Sequence, residues 1–283
     1  MKYYVQQMML GSLCTSEEKV KELLKEIKRS GYSGLEMNRY MIHPTSFLVR
    51  ALTKLAGMPS GNAGKYNWSK LIKEEGLDVI SLHTDLGSLE NDYEGVIKDA
   101  KDLSTSYIVI TGMYRFNYQD LNEVKKLAQR LNVVGERLRK DGFKLLYHNH
   151  NIELLKVDEI NRAYDILVNE TNSENVNFEL DTYWFSEAGA DVKKIIKTLN
   201  KRLKLWHITD RGTRLEKTSI TPIVKSDSVE LGTGNMDLNG IYDISKDYID
   251  AIILETHRNF INGSPLDSLK ISGKYLLNNF GEK

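Results

Sequence analysis

Leu203-Lys204-Leu205-Trp206-His207-Ile208 and Ala251-Ile252-Ile253-Leu254-Glu255 are short, mostly apolar runs that end in or near an ionisable side chain. Side chains alternate along a strand, so Leu203, Leu205 and His207 share one face, as do Ala251, Ile253 and Glu255. If the Leu and Ile positions fill layers inside a closed sheet, the ionisable group next along each face points into its open end. Six more runs have this character: Tyr3–Met9, Gly34–Met37, Val79–His83, Tyr107–Thr111, Phe143–His148 and Val176–Asp181. Their length and their content of Ile, Val, Leu and aromatics suit strands buried on both faces of a parallel sheet.

The stretches between these runs read as helices. Ser16–Ser30 opens with Thr15 or Ser16 as a cap, continues with glutamates, and places Val20, Leu23, Leu24 and Ile27 on one face. Leu121–Lys140 and Val192–Leu199 behave alike. Gly31, Gly76 and Gly142 each close a helical stretch just before a strand, the usual helix-ending signal. Strand and helix alternate eight times without a linker-like shift in composition. The expectation is an α/β chain folded as one (β/α)8 (TIM) barrel domain over residues 1–283. The length of 283 residues is close to the roughly 250 typical of that fold. A doubly wound sheet would often carry a glycine-rich phosphate loop after its first strand, and here the chain reads Met9-Leu10-Gly11-Ser12.

Lys plus Arg and Asp plus Glu each number 39, for a net charge of zero, which argues against a protein built to neutralise nucleic-acid phosphates. The single cysteine, Cys14, excludes an internal disulfide and a cysteine-based zinc site, and is expected to be a small buried residue. Apolar runs of about four residues fall far short of the ~18 that span a membrane. The first residues contain Gln6 and Gln7 where a signal peptide would need apolar side chains, so a cytoplasmic protein is expected. Oligomeric state is left open, a homo-oligomer included.

Barrel enzymes carry their catalytic groups at the C-terminal ends of strands. Glu36, His83, Asp85, His148, His150, Asp181, His207, Asp210, Glu255 and His257 all lie there. Five of the six histidines are in this set, and His43 lies in the long Asn38–Asn67 loop that would rise over the same end. A second long loop, Thr209–Asp237, follows strand seven. Carboxylates and imidazoles converging from adjacent strands make an N/O site for one divalent cation. Asp181, His207 and Glu255 are the first candidates, and without thiolates Mn²⁺, Mg²⁺, Co²⁺ and Zn²⁺ all suit. Glu179, on the face of Asp181, is expected inside the barrel or behind the ligands. Trp184 reads equally well as core and as a substrate-facing wall.

These motifs resemble the sugar phosphate isomerase/epimerase family, the xylose isomerase-like barrels. The resemblance is carried in order by Gly31-Tyr32-Ser33-Gly34-Leu35-Glu36, Tyr147-His148-Asn149-His150-Asn151-Ile152-Glu153 and Leu180-Asp181-Thr182-Tyr183-Trp184. Trp206-His207-Ile208-Thr209-Asp210-Arg211, Glu230-Leu231-Gly232-Thr233-Gly234 and Leu254-Glu255 continue it. It implies one metal ion held by an acid on strand five, Asp181, His207 and Glu255. On strand five His148 stands in the acid's place, with Glu153 as a substitute from the loop. Thr209 stands where relatives often have Lys, and Trp184 where keto-sugar epimerases carry a substrate-binding His; both point away from a ketohexose 3-epimerase.

The resemblance further implies proton abstraction beside the carbonyl of a keto-sugar or keto-glycoside, by a metal-dependent isomerase or epimerase. Glu255, Glu153 and His150 would be the catalytic groups, and Glu36, His83, Trp184, Asp210, Arg211 and His257 would contact substrate. Loss of a β-hydroxyl would instead give a dehydratase or 3-keto-glycoside lyase. An apurinic endonuclease-like hydrolase and a non-catalytic sugar-binding barrel are the readings from other classes.

Overall fold

A computed structural model describes residues 1–44, 63–215 and 218–281. Parts of both long loops, residues 45–62 and 216–217, therefore lie outside the described residues. The strands are β1 (Lys2–Gln6), β2 (Gly34–Asn38), β3 (Asp78–Thr84), β4 (Tyr107–Ile110) and β5 (Lys144–His148). They continue as β6 (Val176–Asp181), β7 (Leu203–Ile208), β8 (Asp210–Gly212), β9 (Asp227–Val229) and β10 (Ala251–Leu254). Eight of them close a parallel barrel in the order β1-β2-β3-β4-β5-β6-β7-β10, with β10 pairing back on β1. The other two, β8 and β9, form an antiparallel pair in the Thr209–Asp237 loop, where no strand was expected.

Local chemistry agrees with these elements. Ser16 caps the helix Glu17–Arg29 by accepting from the Lys19 amide, and Val20, Leu23, Leu24 and Ile27 are its buried face. The helices Leu121–Lys140 and Val192–Leu199 have the expected bounds. Gly31, Gly76 and Gly142 take φ of +89°, +65° and +84°, left-handed backbone that glycine adopts at little cost. The first run is shorter than expected: β1 stops at Gln6, and Gln7–Leu13 is a 3₁₀ turn whose entry the Gln6 side chain caps at the Met8 amide. Cys14 is fully buried, and burial pushes its thiol up to about 12.

Alternation along the strands separates two apolar sets. Outward residues such as Leu35, Ile108, Leu145, Phe178, Trp206 and Leu254 pack under the helices. Inward, Tyr4, Tyr107, Val109, Leu146, Leu205, Ala251 and Ile253 form a small plug. Leu203 belongs with the outer set rather than below His207, because the β6–β7 register shifts between Phe178 and Glu179. Beyond the plug, β7 puts His207 beside Asp181 and Ile253, and β5 puts His148 beside Glu179. The Glu255 amide donates to Ile208 O at 3.2 Å, extending the ladder one residue past β10.

At Gly34 the β2–β3 contact is so close that a Cβ would stand 1.8 Å from Asp78 O. Gly34→Ala should therefore lower stability by about 3 kcal/mol, read as a fall in urea midpoint with an unchanged slope. Wild-type stability would show that the two strands can move apart at no cost.

Candidate active site

The residues at the strand ends form a buried lattice of carboxylates and imidazoles. At its base Glu36 accepts from Ser81 Oγ (2.5 Å) and Gln6 Nε2 (2.9 Å). Its oxygens also lie 2.9 Å from His83 Nε2 and 2.5 Å from His207 Nε2. Glu179 Oε2 lies 2.9 Å from both His83 Nε2 and His148 Nδ1, and 3.2 Å from His207 Nε2. Glu255 Oε2 is 2.9 Å from His207 Nδ1 and 3.9 Å from His257 Nε2. Asp181 sits at the end of β6, where its Oδ1 caps the following turn by accepting from the Trp184 amide.

Burial and mutual charge set the protonation of this lattice. Burial opposes ionisation of Glu36, yet His83 and His207 hold its carboxyl well below the usual range. Glu255 is likewise held low against burial, by His257 and His207. Burial and the Glu36 charge push Glu179 up to about 7, and burial with the Glu255 charge pushes Asp181 up to about 8. His83 rises to about 10 because Glu36 and Glu179 outweigh its burial, and His207 rises for the same kind of reason. His148 is pushed well down by burial and by His207, and burial with His148 takes His150 down to about 3.

One donor atom from each of His148, Asp181, His207 and Glu255 falls within 4.8 Å of the others. A second quartet, His83, His148, Glu179 and His207, meets the same limit lower in the barrel. Both sets are buried, offer only nitrogen and oxygen, and can hold a divalent cation. Glu179 Oε1 is buried without a partner, a spare acceptor beneath them.

Above the lattice opens a cavity of about 1070 Å³. His83, His148, His150, Trp184, Glu255 and His257 line it, as do Gln6, Asn38, Thr84, Tyr118 and Thr256, which sequence reasoning missed. Trp184 is thus a wall residue, half-buried, with its ring 6.0 Å from that of His150 and 5.0 Å from that of His257.

Four expected site residues are placed elsewhere. Glu36 is fully buried beneath the imidazoles and does not line the cavity. Glu153, also fully buried, accepts from Tyr147 Oη and from the His150 amide, both at 2.9 Å. It braces the loop that carries His150. Asp210 accepts backbone amides of Arg211, Gly232, Gly234 and Met236 at 2.8–3.0 Å and so organises the β7 loop. Arg211 is half-buried and outside the lining. The position of Glu179 was visible in its alternation with Asp181, but its contacts with three histidines needed β3, β5 and β7 to be brought together. No sequence signal marked Tyr118.

A parallel (β/α)8 barrel with a His/carboxylate cluster at the C-terminal end of its strands defines a class of proteins with metal-capable barrel sites. The xylose isomerase-like TIM barrel family matches residues 24–272, and the chain belongs to that family. It is 24% identical over 177 residues to an inosose dehydratase of Clostridium perfringens, covering 59% of this chain and 58% of the relative. It is 24% identical over 170 residues to an inosose isomerase of Bacillus subtilis, covering 59% of each. The chain therefore spans just under three-fifths of the length of these relatives. Among solved structures, a sugar phosphate isomerase/epimerase from Parabacteroides distasonis superposes with a TM-score of 0.75 at 18% identity, covering 97% of this chain and 93% of the other. The IOLI protein with a binding zinc atom gives a TM-score of 0.67 at 17% identity, covering 98% and 97%. At such identities the likeness is one of fold.

Glu179 and Asp181 have folded-state pKa values above those of unfolded carboxylates, and His83 and His207 above that of an unfolded imidazole. Each contributes stability that is full below its unfolded value and is lost as pH rises through its folded value. His148, His150 and His257 are shifted down and act the other way, but only up to the ordinary imidazole range near about 6.5. Metal-free protein should therefore lose stability from about pH 7 to 9, by about 1.4 kcal/mol per pH unit for each extra proton the fold holds. A divalent ion, whose ligands bind deprotonated, should suppress the loss. Urea midpoints across that range, with chelator and with Zn²⁺ or Mn²⁺, read both effects; a flat profile in chelator would contradict this protonation pattern.

Proposed function

We propose that this chain is a metal-dependent enzyme that abstracts a proton beside the carbonyl of a keto-sugar or cyclic keto-polyol, with isomerisation or epimerisation as the outcome. The observation that carries the reading is the convergence of His148, Asp181, His207 and Glu255 within 4.8 Å, with His148 and Glu255 also lining a substrate-sized cavity. These four would hold the ion, which when bound supplies Lewis-acid polarisation of a carbonyl. Mn²⁺, Mg²⁺, Co²⁺ and Zn²⁺ are the candidates, and a neutral His148 is in the form that can ligate.

The protein's own groups divide the remaining work. Glu255 lines the cavity as a carboxylate fixed by His207, and it is the base that takes and returns the proton. Because His150 stays uncharged, it can hydrogen-bond a substrate hydroxyl, with Glu153 fixing its backbone. His83, His257 and Trp184 hold the rest of the ring. Elimination of a β-hydroxyl is the second reading, favoured by the relative named an inosose dehydratase. Either reaction needs only a small-molecule substrate, which fits a cytoplasmic enzyme.

The test is deuterium incorporation. Protein stripped with chelator, then reloaded with each ion, should place deuterium beside the carbonyl of inosose or another ketose in D₂O, or release water and form an alkene. Glu255→Gln should lower the rate by about 10²–10⁴-fold. His148→Ala should lower metal occupancy, while His150→Ala should keep the metal and raise KM or lower kcat. Turnover of a true substrate untouched by exhaustive metal removal would sink the proposal.

A further inference from the structure

We infer that Tyr118 is a positioning residue for His150 and acts on it through Tyr147 and Glu153. The inference deepens the reading above and rests on His150 meeting substrate there. The four residues form one hydrogen-bonded chain. Tyr147 precedes His148 at the end of β5, and alternation turns it to the outer side of the sheet, where it is fully buried. Its hydroxyl donates to Glu153 Oε1 at 2.9 Å, and Glu153 Oε2 accepts from the His150 amide at 2.9 Å. Tyr118 Oη lies 3.0 Å from Tyr147 Oη and accepts from the Met113 amide at 2.8 Å. A phenol has one proton to give, and that of Tyr147 goes to Glu153, so Tyr118 donates to Tyr147. Every link then runs in one direction, from the loop after β4 to the carboxylate that holds His150.

Two further observations make this chain a device for position. The turn that carries Tyr118 is unfavourable by itself, because Arg115 takes φ of +51°, left-handed backbone that a side chain resists. The Met113–Tyr118 hydrogen bond spans that turn, so the turn and the chain are ordered together. Gly112 lies where the parts meet: a Cβ there would stand 3.0 Å from Glu153 Oε1, 3.2 Å from Tyr118 Oη and 3.4 Å from His150 Nδ1. The bare glycine lets the loop after β4 close against the chain and the imidazole at once. The His150 ring packs against those of His148 and Trp184, with centroids 5.1 and 6.0 Å away, and its place in the cavity is set from its backbone end. The metal side of the same loop has a separate anchor. Asn149 Nδ2 donates to Asp181 O at 3.0 Å, and Asn149 Oδ1 accepts from the Asp181 amide at 2.9 Å. Loosening the tyrosine chain should therefore displace His150 and leave the His148–Asp181 side in place.

The test uses Zn²⁺-loaded protein and reads His150 directly, by the nuclear magnetic resonances of its ring nitrogens and protons, without turnover. Tyr118→Phe and Gly112→Ala should each move the His150 signals, leave those of His257 in place and keep Zn²⁺ occupancy at the wild-type level. In the deuterium-exchange assay, Tyr118→Phe should lower kcat/KM by about tenfold, the scale of one lost hydrogen bond. Adding Tyr118→Phe to His150→Ala should cause no further loss, because the two residues act as a unit. A tyrosine with a merely structural role would give additive losses instead. Unmoved His150 signals in a folded variant, loss of Zn²⁺ from a folded variant, or an additive cycle would overturn the inference. Should one variant fail to fold, the other decides alone. If the wild-type protein exchanges no deuterium, the proposed reaction falls and the His150 resonances still decide the chain.

Discussion

The structure turns on a burial problem: Glu36, Glu179 and Glu255 are enclosed at the end of a sheet barrel, where an isolated carboxylate would be far too costly to ionise. His83 and His207 make the enclosure tolerable by lying within 2.5–3.2 Å of these oxygens and carrying the compensating protons. Neither imidazole can serve two carboxylates unless β2, β3, β6, β7 and β10 stand at fixed height relative to one another. The parallel registers and the shift at Phe178/Glu179 set those heights. A one-residue slip would turn the ionisable groups into the apolar layer beneath the helices.

The surroundings are arranged around that requirement. Below, the plug from Tyr4 to Ile253 keeps water from the base of the lattice. Above, the loops are held by carboxylates working on backbone amides rather than on substrate. Asp210 gathers four amides of the β7 loop. Glu230 accepts from the Ile261 amide at 2.9 Å and pairs with Arg214, tying that loop to the one after β10. Glu153 does the same for His150. Acidic residues close to a site can thus serve as its scaffold, and only their partners reveal which role they have.

The lattice is complementary to itself yet not saturated. Glu179 Oε1 has no partner, and Asp181 is pushed toward its neutral form by burial and by Glu255. A divalent cation answers both conditions, since it provides the positive charge that the buried acids lack. The cavity above is lined by methionines and aromatics as well as by histidines.

Eight apolar runs alternating with amphipathic stretches carry the barrel in the sequence, because strand burial and helix faces are local periodicities. The same alternation, applied to Leu205/His207 and Ile253/Glu255, sends those ionisable groups inward, and the Asp181 and His148 positions follow from strand ends. Local pattern could not say which acids meet substrate. Glu36, Glu153 and Asp210 are carboxylates like Glu255 and lie within a few residues of strand ends, yet the first sits under the imidazoles and the other two grip backbone. Nor could it show Glu179 joining three histidines from three strands, or Tyr118 reaching the cavity from a loop. Those facts depend on how far apart the strands lie and how their registers align. That is a property of the closed sheet as a whole and is written in no single segment.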